Sequence, residues 1–142
     1  MRAATISPDG RWLAYASNDT NRFEVYVQPF PNLNGKYPIS TDGGGEPIWA
    51  KNGRELFYRN GDKMMAVTIA EKGDRLEPGT PTLLFEGRFA VSTVSGGDAW
   101  YDVSPDGKRF LMLKTEDAPN GTARIIIVQD WTTELKRLVS TK

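Results

Sequence analysis

The sequence of 142 residues contains neither histidine nor cysteine, and each absence removes a class of function. Without histidine, the chain lacks the commonest general base and the usual ligand of catalytic zinc. Without cysteine, it has no disulfide, no thiolate nucleophile and no thiolate metal ligand. A Ser-His-Asp or Cys-His triad therefore cannot be assembled from this chain alone.

An excess of one charge and a long apolar run are missing as well. Eighteen Lys and Arg balance eighteen Asp and Glu, which argues against a nucleic-acid or anionic-membrane surface. No apolar run approaches the ~20 residues that span a bilayer, and the N-terminus shows no signal peptide. We therefore expect no nucleic-acid partner and no membrane insertion. A hydrophobic content of 39% is enough for the core of a single domain.

One short pattern occurs three times along the chain. SPDG at Ser7–Gly10 returns at Ser104–Gly107, and the matching place between them reads AKNG, at Ala50–Gly53. A basic residue and an apolar run follow each turn, and the turn glycines lie 43 and 54 residues apart. Strand-rich repeats of roughly 40–50 residues are typical of propeller blades.

The residues of the repeated turn indicate a structural role. Asp9 and Asp106, with Asn52 in the middle copy, could be taken for metal-binding groups. However, proline suits the second position of a tight turn, Asp or Asn the third, and glycine the left-handed position that follows. We therefore interpret the repeated residues as turn builders.

The remainder of each copy fits an antiparallel sheet. We predict an all-β fold, a partial β-propeller of three four-stranded antiparallel blades whose last blade can be incomplete. The blades are placed at about 1–42, 43–90 and 91–130 of one domain. A short C-terminal helix is predicted at about 131–139, where Trp131, Leu135 and Leu138 recur at helical spacing.

Loops and apolar runs complete this prediction. The distance between the second and third turn glycines is longer than that between the first and second. Its extra residues fall in two polar or Gly-rich stretches, Ala70–Asp74 and Val91–Gly97, which we expect to be loops. The runs KMMAVTI (Lys63–Ile69) and ARIIIVQ (Ala123–Gln129) are nearly continuous apolar stretches. Such runs suit strands that neighbouring blades cover on both faces.

These repeats resemble the TolB-type, WD-like propeller repeats of bacteria, in which an apolar residue precedes SPDG, a basic residue and an apolar run. Longer strings resemble, more narrowly, the C-terminal sensor region of bacterial receptor-like serine/threonine kinases. They are NRFEVYVQPFP (where the family has Gly for Asn21), GGGEPIWAKNGRELFYRNGDKMMAV, YDVSPDGKRFLML and VQDWTTELKRLV. The resemblance implies a periplasmic or extracytoplasmic module that binds a small ligand or a protein. It transfers no activity, because the kinase motifs and the catalytic domain of propeller-bearing hydrolases are absent.

Two Gly-rich connections carry the candidate binding residues. TDGGGEP (Thr41–Pro47) lacks the spacing of a phosphate-binding loop and no helix follows it, so we interpret it as a connection between blades. Propeller ligands meet the channel mouth where such connections enter the innermost strands. The candidate ligand-binding cluster, for which packing between blades is the structural alternative, is Glu46, Asp98, Trp100, Tyr101 and Asp102.

Two chemical alternatives stay open at this stage. Paired carboxylates in the channel would suit a hydrolase or lyase, with or without a divalent cation. Calcium stays open as a cofactor because it takes oxygen ligands, although Ser17–Asn21 lacks the EF-hand pattern. We assign no catalytic residue, no metal ligand and no cofactor, and place a non-enzymatic binding module first.

Three blades are too few to close a propeller, which needs four to eight. Two outcomes would cover the exposed blade faces. Either the chain is part of a larger propeller, or two copies join head to tail as a homodimer with a six-bladed ring.

Overall fold

The computed structural model describes residues 2–89, 99–115 and 123–129, and within these ranges the regular structure consists of strands. The strands form three antiparallel sheets that follow one another along the chain. The first sheet, blade 1, contains β1 (Arg2–Ile6), β2 (Trp12–Ser17), β3 (Glu24–Pro29) and β4 (Tyr37–Pro38) in that order. No helix in the described ranges is long and apolar enough to cross a membrane.

The other two sheets repeat this order. Blade 2 begins with β5 (Gly45–Trp49), β6 (Glu55–Asn60) and β7 (Lys63–Lys72). The C-terminal half of β7 pairs with β8 (Arg75–Pro78), and its N-terminal half pairs with β9 (Thr82–Glu86). Blade 3 contains β10 (Tyr101–Val103), β11 (Arg109–Thr115) and β12 (Ala123–Gln129).

This architecture confirms the predicted all-β fold, an open partial propeller. The predicted C-terminal helix and the loop Val91–Gly97 lie outside the described residues. The division into blades at 1–42, 43–90 and 91–130 stays a prediction.

The three repeated turns share one geometry and connect the first two strands of each blade. The N–H of Gly10 donates to the Ser7 carbonyl at 2.9 Å, and Gly53 and Gly107 make the matching bonds. The glycines have φ of +76°, +71° and +72°, in the left-handed region where a side chain is strained.

Two hydrophobic clusters hold the blades face to face. The cluster between blades 1 and 2 contains Trp12, Val25 and Val27 from one side and Leu56, Tyr58 and Val67 from the other. Between blades 2 and 3, the ring of Phe110 stands edge-on to Phe57 and Phe85, with centroids 5.1 and 5.3 Å apart. Side chains alternate along a strand, so β6 and β7 of the middle blade contribute to both clusters.

The stretch Ala70–Asp74, predicted to be a loop, is mostly strand. β7 continues to Lys72 and turns at Gly73 into β8, and Leu76 of this extension is buried against blade 1. The Glu71 carboxylate accepts hydrogen bonds from the Trp12 indole at 2.9 Å and from the Arg11 guanidinium at 2.7 Å. These long-range contacts extend the hairpin, and polarity alone did not reveal them.

The turn aspartates predict a pH dependence of stability. Hydrogen bonds from Ser7 and Ser104 hold the pKa of Asp9 and Asp106 below the ordinary carboxyl value. Since the folded pKa is the lower one, the stabilisation is complete above the unfolded pKa of about 4 and is lost as pH falls through the folded pKa. The double variant Asp9→Asn/Asp106→Asn should therefore lose less stability than the wild type between pH 7 and pH 3.

Asparagine is the appropriate substitute because the middle copy already uses it. The Asn52 side-chain oxygen accepts the Arg54 N–H at 2.8 Å, as Asp9 accepts that of Arg11 at 3.1 Å. Urea unfolding at several pH values measures the effect. Equal loss of stability in both proteins would contradict a stabilising role for the ionised turn carboxylates.

Candidate functional site

The innermost strands of blades 1 and 2 each carry a β-bulge at the same repeat position. The pairing register shifts between Arg2 and Thr5 in β1, and between Gly45 and Ile48 in β5. Within these bulges Ala3 and Glu46 have φ of +53° and +52°, values that non-glycine residues seldom adopt. Bulges re-aim side chains and are frequent beside binding sites, so the bulged end of the strands is a candidate site.

A buried carboxylate fixes the Gly-rich connection that enters β5. Glu24 is only 6% exposed and accepts hydrogen bonds from the Gly43 N–H, at 3.0 and 3.1 Å, and from the Ser40 hydroxyl. The Arg22 guanidinium donates to the same carboxylate at 3.0 Å. The connection is therefore held by charge-assisted bonds, which are stronger than neutral ones.

Gly44 in this connection has no space for a side chain. A Cβ at Gly44 would lie 2.9 Å from the Cβ of Ser40 and 3.0 Å from the ring of Tyr58. Burial and the charge of Glu24 raise the pKa of the Tyr58 hydroxyl to about 12, so the Tyr58 side chain against which Gly44 packs stays neutral. The backbone of the connection thus packs directly onto blade 2.

Glu46 joins blade 2 to blade 3. Its carboxylate accepts the backbone N–H of Trp100 at 2.9 Å, and its carbonyl accepts the Tyr101 hydroxyl at 2.7 Å. Burial raises the pKa of Tyr101 well above its ordinary value, and the Glu46 charge adds to this, so the phenol remains a donor. The strained Glu46 is therefore held in place by both blades.

Arg59 lies beside this contact and is 3% exposed. One of its terminal nitrogens donates to the carbonyls of Gly61, at 2.8 Å, and Phe89, at 3.3 Å. Burial lowers the pKa of Arg59, whereas the charge of Glu46 raises it. The two groups balance each other's charge in a place that water hardly reaches.

A cavity of about 310 Å³ opens at the bulged ends of β1 and β5. Its walls come from both blades and from the β2–β3, β4–β5 and β6–β7 connections, and its charged lining residues are Arg2, Arg22, Asp42, Glu46 and Arg59. The guanidinium carbon of Arg2 lies over the ring of Phe23, 3.6 Å from its centroid. An arginine that stacks on an aromatic ring can still bind a carboxylate through two parallel hydrogen bonds.

A larger cavity, about 440 Å³, lies among the repeated turns and includes Pro8, Asn52 and Gly53. Among its charged lining residues, Glu71 forms an ion pair with Arg11, and the two side chains are 29% and 49% exposed. Exposed pairs of this kind are screened by water and contribute little to binding. The cavity at the bulges, with buried Glu46 and Arg59, is the better candidate.

The structure brings together three of the five residues predicted to form the binding cluster. Glu46, Trp100 and Tyr101 meet at the contact between blades 2 and 3, and Glu46 also lines the cavity. Asp102 lies elsewhere, since it lines a hollow with Leu111 and Ile127 on the outer side of blade 3. Asp98 lies outside the described residues.

Three arginines that sequence reasoning did not single out line the same cavity. Arg59 occupies a repeat position that is alanine in blade 1, Ala16, and leucine in blade 3, Leu113. A charged residue in that apolar column is the signal that could have found it. Arg2 and Arg22 carry no comparable signal.

The carboxylate chemistry left open by the sequence gains no support from the geometry. Glu46 and Asp102 line different cavities, and the Glu46 carboxylate already accepts a backbone N–H. The described residues contain no group of three acidic side chains that could hold a metal ion.

No protein-family model and no curated protein matches the sequence. Among solved structures, the chain is similar to a protein described as TolB from Agrobacterium tumefaciens, with a TM-score of 0.57 and 15% identity over 89% of this chain and 44% of the other. It is also similar to a protein described as a 6-phosphogluconolactonase, from Bacteroides uniformis. The TM-score is 0.49, and the identity is 13% over 89% of this chain and 39% of the other. For TolB from Acinetobacter baumannii the TM-score is 0.39, and the identity is 14% over 89% of this chain and 40% of the other.

The first likeness shows a TolB-like propeller fold and no more, and the other two are too distant to support an argument. The chain spans less than half the length of each of these structures.

The contact at Glu46 predicts a specific loss of stability. Tyr101→Phe leaves the Glu46 carbonyl without its buried donor, which should lower the free energy of unfolding by ~1–3 kcal/mol. Tyr37→Phe is the matched control, because the Tyr37 ring contacts Trp12 edge-on and its hydroxyl has no hydrogen bond among the described residues. Urea denaturation compares the two variants. Equal losses would contradict the role assigned to the Tyr101 hydroxyl.

Proposed function

We propose that the chain is a non-enzymatic binding module, a partial TolB-like propeller that holds a carboxylate-bearing ligand in the cavity at the bulged ends of β1 and β5. The observation that carries this proposal is Arg2, which is stacked on Phe23 at the rim of that cavity. The ligand is a small acid or the carboxylate of a protein partner.

The charges of the lining favour an anion. Arg22 is paired with Glu24 and Asp42, at 2.8 and 3.6 Å, and Glu46 and Arg59 act on each other. Arg2 has no ion pair within the described ranges, and its planar fork matches a carboxylate in two parallel hydrogen bonds. Arg2 therefore remains as a cationic side chain of the lining with which the carboxylate of a ligand can pair.

The resemblance to the sensor region of receptor-like kinases supports the same role. The resemblance implies a module that lies outside the cytoplasm and binds a small ligand or a protein. The blades missing from the ring would come from a larger propeller or from a second copy.

A titration with succinate tests the proposed site. Amide resonances of residues 42–46 and 59–61 should shift at roughly millimolar succinate, the range expected for a single charge-assisted contact. Arg2→Gln removes the guanidinium and should raise the dissociation constant about tenfold or more.

Arg75→Gln is the matched control, because Arg75 is an exposed arginine on β8 and is not part of the cavity lining. Sodium chloride at equal ionic strength separates binding from screening. The proposal is wrong if succinate shifts only resonances outside the cavity, or if the two variants bind it equally.

A further inference from the structure

The outer face of blade 3 carries an apolar patch that is open to water, with Asp102 and Arg109 beside it. Ile125 is 70% exposed, Ile127 63% and Leu111 44%. Leu111 lies opposite Ile127 across the strands, and Leu113 lies opposite Ile125, so the side chains form one continuous patch. The sequence predicted that both faces of β12 are covered, and within the described residues one face is not.

The equivalent face is covered in the other two blades. The residue four positions after the turn glycine is Ala14 in blade 1, Phe57 in blade 2 and Leu111 in blade 3. Ala14 packs in the cluster with Leu56, and Phe57 packs edge-on against Phe110. In both cases the partner comes from the next blade and lies three positions after its turn glycine. By the same rule, Leu111 should pack against the residue that lies three positions after the turn glycine of a further blade.

Blade 1 presents the matching face. Leu13 stands three positions after Gly10 and is half-buried on the side that faces away from blade 2. Beside it, the rings of Tyr15 and Tyr26 pack with centroids 5.9 Å apart, and Lys36 covers Tyr26 at 4.4 Å. This surface is already well packed, so a neighbouring blade would contact Leu13 and the apolar stem of Lys36.

We infer that the outer face of blade 3 binds the outer face of blade 1 of a second copy, with Leu111 against Leu13 of that copy. The contact repeats the two blade interfaces already present in the chain. Two copies joined in this way at both ends give six blades, within the range of closed propellers, and satisfy both outer faces by twofold symmetry. This assembly goes beyond the proposed function, and its test needs no ligand.

Sedimentation velocity on the 142-residue chain tests the inference. The wild type should sediment as a dimer at micromolar concentration. Leu111→Glu places a charge in the apolar patch and should shift the protein to the monomer, raising the dissociation constant at least tenfold. Leu13→Glu tests the other side of the contact and should have the same effect.

Leu83→Glu is the matched control, since Leu83 is 36% exposed on β9, away from both faces, and should leave the dimer intact. Circular dichroism verifies that each variant is folded, and if one of the two interface variants unfolds, the other decides. A monomeric wild type, an open oligomer larger than two, or a dimer that survives both interface substitutions would each overturn the inference. So would a dimer that Leu83→Glu disrupts as strongly.

Discussion

The stacking of one sheet face on the next is the interaction on which the rest of this structure depends. Each described blade has apolar side chains on both faces, and a single sheet of three to five strands cannot bury both by itself. Blade 2 buries both, one against Trp12 and Val25 of blade 1 and the other against Phe110 and Met112 of blade 3. Burying such side chains gives roughly 1.5–3 kcal/mol each, so the stack stabilises its members together.

The candidate site follows from this stacking. Glu46 stays in a left-handed conformation because Trp100 and Tyr101 bind it from the neighbouring blade. The same meeting of blades brings Arg59 into a place where its charge is balanced by Glu46. A single blade could support neither arrangement, so the cavity at the bulges belongs to the stack as a whole.

Much of the architecture could be predicted from local patterns. The repeated turns fix where each hairpin begins, and the apolar runs locate the strands that follow those turns. Alternation also separates Tyr101 from Asp102, because neighbouring side chains on a strand point to opposite faces. The prediction that both belong to one cluster overlooked this constraint.

Other features depend on contacts that are distant in sequence. The extension of β7 into the stretch predicted as a loop rests on Glu71 bonding to Trp12, a residue 59 positions away. The conformation of Glu46 is held by Trp100 and Tyr101, which are 54 and 55 positions away, and the placement of Arg2 on Phe23 depends on the folded backbone. Such features could only be read from the structure.

One rule of face-to-face packing connects the blades within the chain, and we infer that the same rule connects blade 3 to blade 1 of a second copy. Because the chain has no cysteine, Leu13→Cys and Leu111→Cys can each be introduced on separate chains and treated with a short bismaleimide cross-linker. We expect a covalent dimer when the two variants are mixed and none when either is treated alone. A mixture that stays uncross-linked, or a dimer formed by Leu111→Cys chains alone, would contradict it.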